Sequence, residues 1–436
     1  MDGIVISCGG TGGHLAPGIA LAEAVQARDS RTRITLLISQ KKIDSRLSGK
    51  YPHLHFLAVP GLGFSWRPLR FFRCAVSQLK GLLFCLKLLL RERPAVVVGF
   101  GGFTSAGVTL AARLLGIPVA LHEANRVPGL AVRTLGRLAT RVYLPEGVRL
   151  PAVRAPRIRH VGLPVRREIV DHPRSAACER LGLNPKRRVL AVFGGSQGAG
   201  PLNDWAHEHL AALAAEGVQL YCVSGPGKGE AQVRELPLRA AKPAPEGMAS
   251  DAPVGPPAES TAAAPNAAPA PAPTPARETP NAPSETIRAI FVPFCDDVAT
   301  LLSAADLVVS RAGAGTIAEL IRCGTPAILV PYPHAADDHQ RANASFFERQ
   351  GGGVVVEQGD FSRLKREVLD TIFNDWLLNQ LRSNLRRMDR SHAADFILDD
   401  LERLSAESAA AKSAGSVSAR FATPALTPPP RAGSAQ

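Results

Sequence analysis

The sequence predicts an α/β protein of two doubly wound, parallel-sheet domains, and three observations predict it. Short apolar, β-branched runs recur along the chain with helical patterns between them. The runs are continuously apolar instead of alternating, as strands covered on both faces are. Several of them run directly into glycine loops, at the carboxyl strand ends where this architecture binds ligands.

The first series comprises Ile4–Cys8, Ile34–Ile38, Val96–Gly99 and Val119–His122, with a helix expected over Pro17–Arg28 and Pro near its start. The second comprises Val189–Phe193, Gln219–Val223, Ala289–Val292, Leu307–Ser310 and Ala327–Val330, and the two series join near Val161–Val165. At 436 residues the chain is long enough for each half to bury its own core.

Composition narrows the function classes. Hydrophobic residues at 45 % exclude wholesale disorder. A formal charge of +13 points to anionic partners such as phosphorylated ligands or an acidic membrane surface. Aromatic residues at 5 % give little material for base-stacking platforms, so nucleic acid is not an expected partner. The seven cysteines, Cys8, Cys74, Cys85, Cys178, Cys222, Cys295 and Cys323, form no C-x-x-C pair and read as free thiols of a reducing compartment. The amino terminus has no basic region and reads as a strand, not a signal peptide, so a cytoplasmic location is expected.

Three segments break the globular texture. Residues 241–284 hold 14 Ala and 12 Pro, too little apolar surface to offset ordering, and are expected to be disordered, as is a similar tail over 406–436. Residues 61–94 are crowded with apolar side chains and carry Arg67, Arg70, Arg73, Lys80, Lys87, Arg91 and Arg93 against a single Glu92. They read either as a core helix with solvated charges or as an amphipathic surface for an anionic membrane, and their apolar runs are too short to span a bilayer.

Four glycine loops could cradle phosphate with bare backbone N–H groups and the positive end of the following helix. They are Gly9–His14, Gly99–Ser105, Gly194–Ala199 and Ser310–Glu319. His14 has two readings, general base or helix cap; Ser196, phosphate donor or N-cap; Glu319, ribose acceptor or compensation of the helix dipole. The first loop fails the G-x-G-x-x-G dinucleotide pattern. Two polar clusters, His122-Glu123-Ala124-Asn125 and Asp337-Asp338-His339-Gln340 with Asn343, suit sugar hydroxyls. The first is not a zinc pair, because Arg126 stands where H-E-x-x-H needs its second histidine, and no D-x-D motif offers a metal for a diphosphate. Neither metal nor cofactor is expected.

Together the motifs GGTGGHLAPGIALA, GFGGFTS, HEAN, VGLPVR, GGSQGA, RAGAGTIAEL and DDHQ with Asn343 resemble the MurG family, the undecaprenyldiphospho-muramoylpentapeptide β-N-acetylglucosaminyltransferases. The resemblance covers roughly residues 1–240 and 285–403. It implies a GT-B fold, two Rossmann-like domains facing across a cleft. The acceptor and membrane-facing domain would occupy 1–162, the UDP-sugar domain 163–385, and a helix over 386–405 would return to the first domain.

The resemblance also implies an inverting transfer of N-acetylglucosamine from its uridine diphosphate to the 4-hydroxyl of the muramoyl sugar in lipid I, giving lipid II. Donor contacts fall on Thr11, Gly12, Gly13, Asn125, Arg166, Ser196, Cys295, Ala314, Gly315, Thr316, Ile317, Ala318, Glu319 and Gln340. The lipid diphosphate falls on Gly9, Gly10, Gly101 and Gly102. His14 is the expected base and Glu123 the second candidate. Family members attach to the inner membrane face through a basic-rimmed apolar patch, which favours the membrane reading of 61–94. A sugar-nucleotide epimerase of the same fold is the rival, using the donor pocket with no lipid acceptor.

Overall fold

The computed structural model describes residues 1–10, 12–40, 46–60, 68–195, 197–238 and 286–420. Among them, fourteen strands form two seven-stranded sheets. The first contains β1 (Gly3–Ser7), β2 (Arg33–Ile38), β3 (His55–Ala58), β4 (Val96–Gly99), β5 (Val119–His122), β6 (Arg141–Leu144) and β7 (Ile158–His160). Its order is β3-β2-β1-β4-β5-β6-β7, with every pair parallel. The second contains β8 (Arg188–Phe193), β9 (Val218–Val223), β10 (Gln232–Pro237), β11 (Thr286–Val292), β12 (Leu307–Ser310), β13 (Ala327–Leu329) and β14 (Gly353–Val355). Its order is β10-β11-β9-β8-β12-β13-β14, parallel except where β10 pairs antiparallel with β11.

The side-chain period of two explains the unbroken apolar runs. Ile4 and Ile6 pack with Val96 and Val98 on one face of the first sheet. Val5 and Val97 pack with Leu37 on the other. In β8, Val189, Ala191 and Phe193 share one core cluster while Leu190 and Val192 share another. Helices cover both faces: α1 (Gly12–Arg28), α2 (Pro68–Glu92), α3 (Thr104–Leu114), α4 (Leu130–Leu135), α5 (Arg174–Arg180), α6 (Gly200–Ala215), α7 (Val298–Ala304), α8 (Ala314–Cys323), α9 (His339–Arg349), α10 (Phe361–Ile372), α11 (Asp375–Met388) and α12 (Ala393–Arg420).

Two boundaries differ from the sequence reading. Helix α1 starts at Gly12, in the glycine loop itself, so Pro17 lies inside it. With no N–H at Pro17, the Gly13 carbonyl lacks its intrahelical donor. Helix α12 continues to Arg420, where a disordered tail was expected from residue 406. The Ala-rich composition that cannot build a core still propagates a helix once its first turns are docked. Residues 421–436 lie outside the described residues.

Those first turns dock on the first sheet. Ile397, Leu398, Leu401 and Leu404 enter the cluster of Ile4, Ile6 and Val98. Asp400, buried among them, accepts from Tyr143 Oη at 2.9 Å and meets Arg141 Nε at 2.7 Å. Those partners compensate a carboxylate that would otherwise be costly to bury.

The Ala/Pro-rich stretch 241–284 lies outside the described residues, but its anchor points are informative. It connects β10 to β11, and Pro237 and Thr286 are register partners in that antiparallel pair. A hairpin turn of a few residues therefore spans the same ends. Replacing residues 239–285 by an Asn-Gly-containing turn should leave the fold at least as stable, gaining up to about 2 kcal/mol from the shorter loop. Denaturant unfolding of the two chains measures this; a lower midpoint in the shortened chain would mean that the stretch packs on the fold.

Candidate active site

The carboxyl ends of both sheets open onto one cleft of about 1150 Å³, where doubly wound sheets bind ligands. On the first wall, β1 and β4 run into two glycine turns with Gly10 at φ +123°, Gly101 at +92° and Gly102 at +74°. Hydroxyls tie these turns together: Ser7 donates to Thr104 Oγ1 at 3.2 Å, Thr104 to the Gly9 carbonyl at 3.1 Å, and Ser105 to the Gly101 carbonyl at 2.7 Å. A Cβ on Gly102 would stand 2.9 Å from the Gly9 oxygen and 3.2 Å from His14 Nδ1. Bare backbone thus lets the turns close around the half-buried His14 imidazole.

Gly13, His14, Gly101 and Gly102 line the cleft. Gly9 and Gly10 do not. A Cβ on Gly9 would meet Ser39 N at 2.3 Å, so Gly9 serves the packing beneath the turn, while the φ of +123° at Gly10 serves the turn itself. Gly12 opens α1. Thr11 and Ser196 lie outside the described residues.

The strand β5 delivers His122 and Glu123 to the cleft floor. Fully buried His122 places Nε2 3.2 Å from the carbonyl of Gly162, in the crossing between the two sheets, and burial pushes its pKa down to about 4. That contact requires the proton on Nε2. Glu123 is consumed by its own loop: Oε1 accepts from Asn125 N at 2.9 Å and Asn125 Nδ2 at 3.0 Å, and Oε2 from Gly129 N at 2.7 Å. Asn343, from α9 across the cleft, completes the arrangement. Its Oδ1 accepts from Arg126 N at 2.9 Å, and its Nδ2 donates to Asn125 Oδ1 at 3.1 Å and to the Ala312 carbonyl at 3.2 Å. The Asn125 amide is therefore oriented from both sides.

The second wall is α8 and its approach. Gly313 caps the helix in extended conformation with no side-chain hydrogen bond, and Gly313, Ala314, Gly315 and Thr316 line the cleft. Amides of an uncapped helix start form an anion site. One turn in, Glu319 (side chain 18 % exposed) accepts from Arg166 Nη2 at 3.0 Å. Burial raises the Glu319 pKa and Arg166 opposes that rise. Ile317 and Ala318 turn instead toward a second hollow behind the cleft.

Cys295 lines the cleft beside Phe294, its thiol pushed up to about 11 by burial. Gln340 also lines it, with Oε1 held by Tyr332 N at 3.0 Å. Asp337 and Asp338, both left-handed at φ +51° and +52°, turn the chain so that α9 begins with His339 and Gln340 on the cleft.

Sequence reasoning missed three cleft features. Arg311, inside a quoted motif, lines the wall and donates Nη1 to the carbonyls of Val330 and Pro331 at 3.1 and 3.2 Å. Asn343, expected to suit sugar hydroxyls, is buried and instead ties Arg126, Asn125 and Ala312 together. The segment around Lys50 and Tyr51 belongs to none of the motifs, yet it reaches the second wall.

The buried His122 has a pH consequence. Its folded pKa lies below the ordinary 6.5, so the unfolded chain takes a proton first as pH falls. Stability should hold above about pH 6.5 and decline by about 3 kcal/mol toward pH 4 from this group. Denaturant midpoints between pH 7.5 and 4.5 should show a slope that His122→Gln, which keeps a donor for Gly162, flattens. An equal slope in the variant would assign the loss to other groups.

Residues 4–144 match the glycosyltransferase family 28 N-terminal domain and residues 274–396 its C-terminal domain. A UDP-N-acetylglucosamine–N-acetylmuramyl-(pentapeptide) pyrophosphoryl-undecaprenol N-acetylglucosamine transferase of Opitutus terrae is 52 % identical over 96 % of this chain and 99 % of its own. One from Sorangium cellulosum is 35 % identical over 83 % of this chain and 78 % of its own. Among solved structures, Acinetobacter baumannii MurG superposes with a TM-score of 0.62 at 23 % identity, covering 92 % of this chain and all of the other. The calicheamicin glycosyltransferase CalG4 superposes at 0.57 and 14 % identity, over 93 % and 98 % of the two chains, a likeness of fold alone. Two doubly wound sheets, an uncapped helix start opposite paired glycine turns, and relatives matched along nearly their whole length make this chain a member of the MurG group of glycosyltransferase family 28.

Proposed function

We infer that this chain transfers N-acetylglucosamine from its uridine diphosphate to lipid I and so makes lipid II. The observation that carries the reading is the extended identity to transferases of that name, joined to a cleft with an anion-binding helix start on one wall and glycine turns around a histidine on the other. The nucleotide lies on the second wall, with the Gly313–Thr316 amides toward its diphosphate and Glu319 toward the ribose. The base approaches Phe294 and the backbone at Cys295. Asn125 and Gln340 take sugar hydroxyls.

The acceptor's lipid diphosphate meets Gly13, Gly101 and Gly102. Its 4-hydroxyl oxygen attacks the anomeric carbon while the proton passes to His14. The bond from that carbon to the β-phosphate oxygen breaks, and the electron pair leaves with uridine diphosphate. The charge growing there is met by preorganised amides, with Arg311 nearby. Glu123, with both oxygens engaged by Asn125 and Gly129, orients the loop and leaves the base role to His14.

A radiolabelled donor, a lipid I analogue and chelator should yield labelled lipid product. His14→Ala should lower kcat by about 10²–10⁴. Glu123→Gln should act mainly on the donor KM. Near-normal turnover in His14→Ala with collapse in Glu123→Gln would exchange the two roles, and donor binding without transfer would remove the lipid acceptor from the reading.

The second part of the proposal is peripheral attachment to the cytoplasmic face of the inner membrane. In α2, Cys74, Gly81, Cys85 and Leu89 face inward, while Val76, Leu79, Leu83 and Leu90 are exposed along one side with Lys80, Lys87 and Arg91 beside them. Leu110 and Leu114 of α3 and Leu130 of α4 are exposed as well. No helix among the described residues is long and apolar enough to cross a membrane. Residues 61–67 lie outside the described residues. Leu79, Leu110 and Leu130 also line the cleft, so the apolar stripe leads to the acceptor side. Leu83→Ser with Leu90→Ser should cut binding to phosphatidylglycerol vesicles at least tenfold, since each leucine lost from an apolar surface is worth about 1.5–3 kcal/mol. Unchanged cosedimentation would place the docking surface elsewhere.

A further inference from the structure

The Lys50–Tyr51 segment belongs to the first domain, between the end of β2 and β3, yet it bears on the opposite wall at three separate points. Arg46, just before it, lays its guanidinium 3.9 Å from the Phe294 ring centroid. Lys50 Nζ donates to the Asp296 carbonyl at 3.2 Å and pairs with that residue's carboxylate. Tyr51 donates its hydroxyl to Glu168 and accepts from Arg166 Nη1 at 3.3 Å. Arg166 is largely buried, pairs with Glu168 at 3.0 Å, and gives its other terminal nitrogen to Glu319 Oε1 at 3.0 Å. Glu319 Oε2 has no hydrogen-bond partner among the described residues, and Glu319 lines the cleft.

We propose that Tyr51 is a positioning residue of the nucleotide site: reaching across from the first domain, it fixes Arg166, and through Arg166 it sets which oxygen of Glu319 is held and which is presented to a ribose hydroxyl. The proposal rests on the reading of Glu319 as the ribose acceptor.

The physical case is one of rotamer restriction. A guanidinium offers its donors in a fixed fork, so anchoring one terminal nitrogen directs the other. Arg166 has a long flexible stem, and Glu168 alone restrains it from an arm that is itself 46 % exposed. The Tyr51 ring, buried in the core of the first domain, supplies the rigid second support that this arm lacks. Glu319 also needs its partner for charge: burial favours the protonated acid, and Arg166 keeps the carboxylate able to accept. An arginine free to swing toward Glu168 would leave Glu319 both misaimed and easier to protonate.

The test compares uridine diphosphate with 2′-deoxyuridine diphosphate as competitive inhibitors of the full-length enzyme. A carboxylate bond to the missing hydroxyl makes the deoxy compound weaker in the wild type by roughly tenfold. Tyr51→Phe keeps the ring and removes only the oxygen. It should narrow that ratio at least threefold and raise the donor KM, with kcat within twofold. Glu168→Gln should narrow it as well, which guards against a folding defect peculiar to Tyr51→Phe. A wild-type ratio in both variants, with the ratio abolished in Glu319→Gln, overturns the positioning role and leaves the ribose reading standing. A wild-type ratio in Glu319→Gln overturns the ribose reading itself, and the proposal with it.

Discussion

The constraint on which the rest of this structure depends is that glycine turns and a helix start without a side-chain cap face one cleft between two separate sheets. The proposed diphosphate contacts need bare N–H groups, and the uncapped start of α8 and the close-packed glycine turns suit that need. Bare amides are useful only if they stay where they are. The chain therefore places its stiffening just behind them: a hydroxyl ladder through Ser7, Thr104 and Ser105 under the first wall, and carbonyl-bound Arg311 under the second.

Holding the two walls in register is a separate problem, and the structure solves it with single buried polar contacts. Asn343 links α9 to the loop after β5, His122 grips the crossing at Gly162, and Asp400 binds α12 to Tyr143 and Arg141 on the first sheet. Each joins parts of the chain far apart in sequence. A buried polar pair is poor at raising stability relative to apolar packing but strict about geometry, and strict geometry is what a two-walled site needs.

The repeating elements were legible because their signal is local. Glycine after an apolar run and an unbroken β-branched strand state the parallel sheets and the turns directly, and β1, β4, β5, β8 and β12 fall where those runs lie. Strands at the sheet margins were not legible. His55–Ala58 and Gln232–Pro237 are partly exposed and carry polar residues, so the apolar pattern fails there. The cleft lining was legible at the glycine loops and the helix starts that follow them, as at His14, Gly101 and Glu319. It was not where residues meet across the cleft: nothing near Tyr51 announces Arg166, because the two meet only once both sheets have formed.

The net charge shows why placement outranks composition. A value of +13 pointed toward an anionic partner, yet part of the arginine is engaged by carboxylates of the fold itself. Buried Asp306 alone gathers Arg174 at 2.6 Å, Arg188 at 3.4 Å and Arg382 at 3.6 Å, and it also accepts from Val189 N. Asp400 gathers Arg141 and, more distantly, Arg159. Such clusters leave a positive residue of charge around one carboxylate while serving only to fix a helix or a strand end. Lys80, Lys87 and Arg91 instead stand beside the exposed, apolar Leu83 and Leu90. In the proposed membrane attachment that combination has a use, since an apolar stripe enters the lipid while cations meet the headgroup plane.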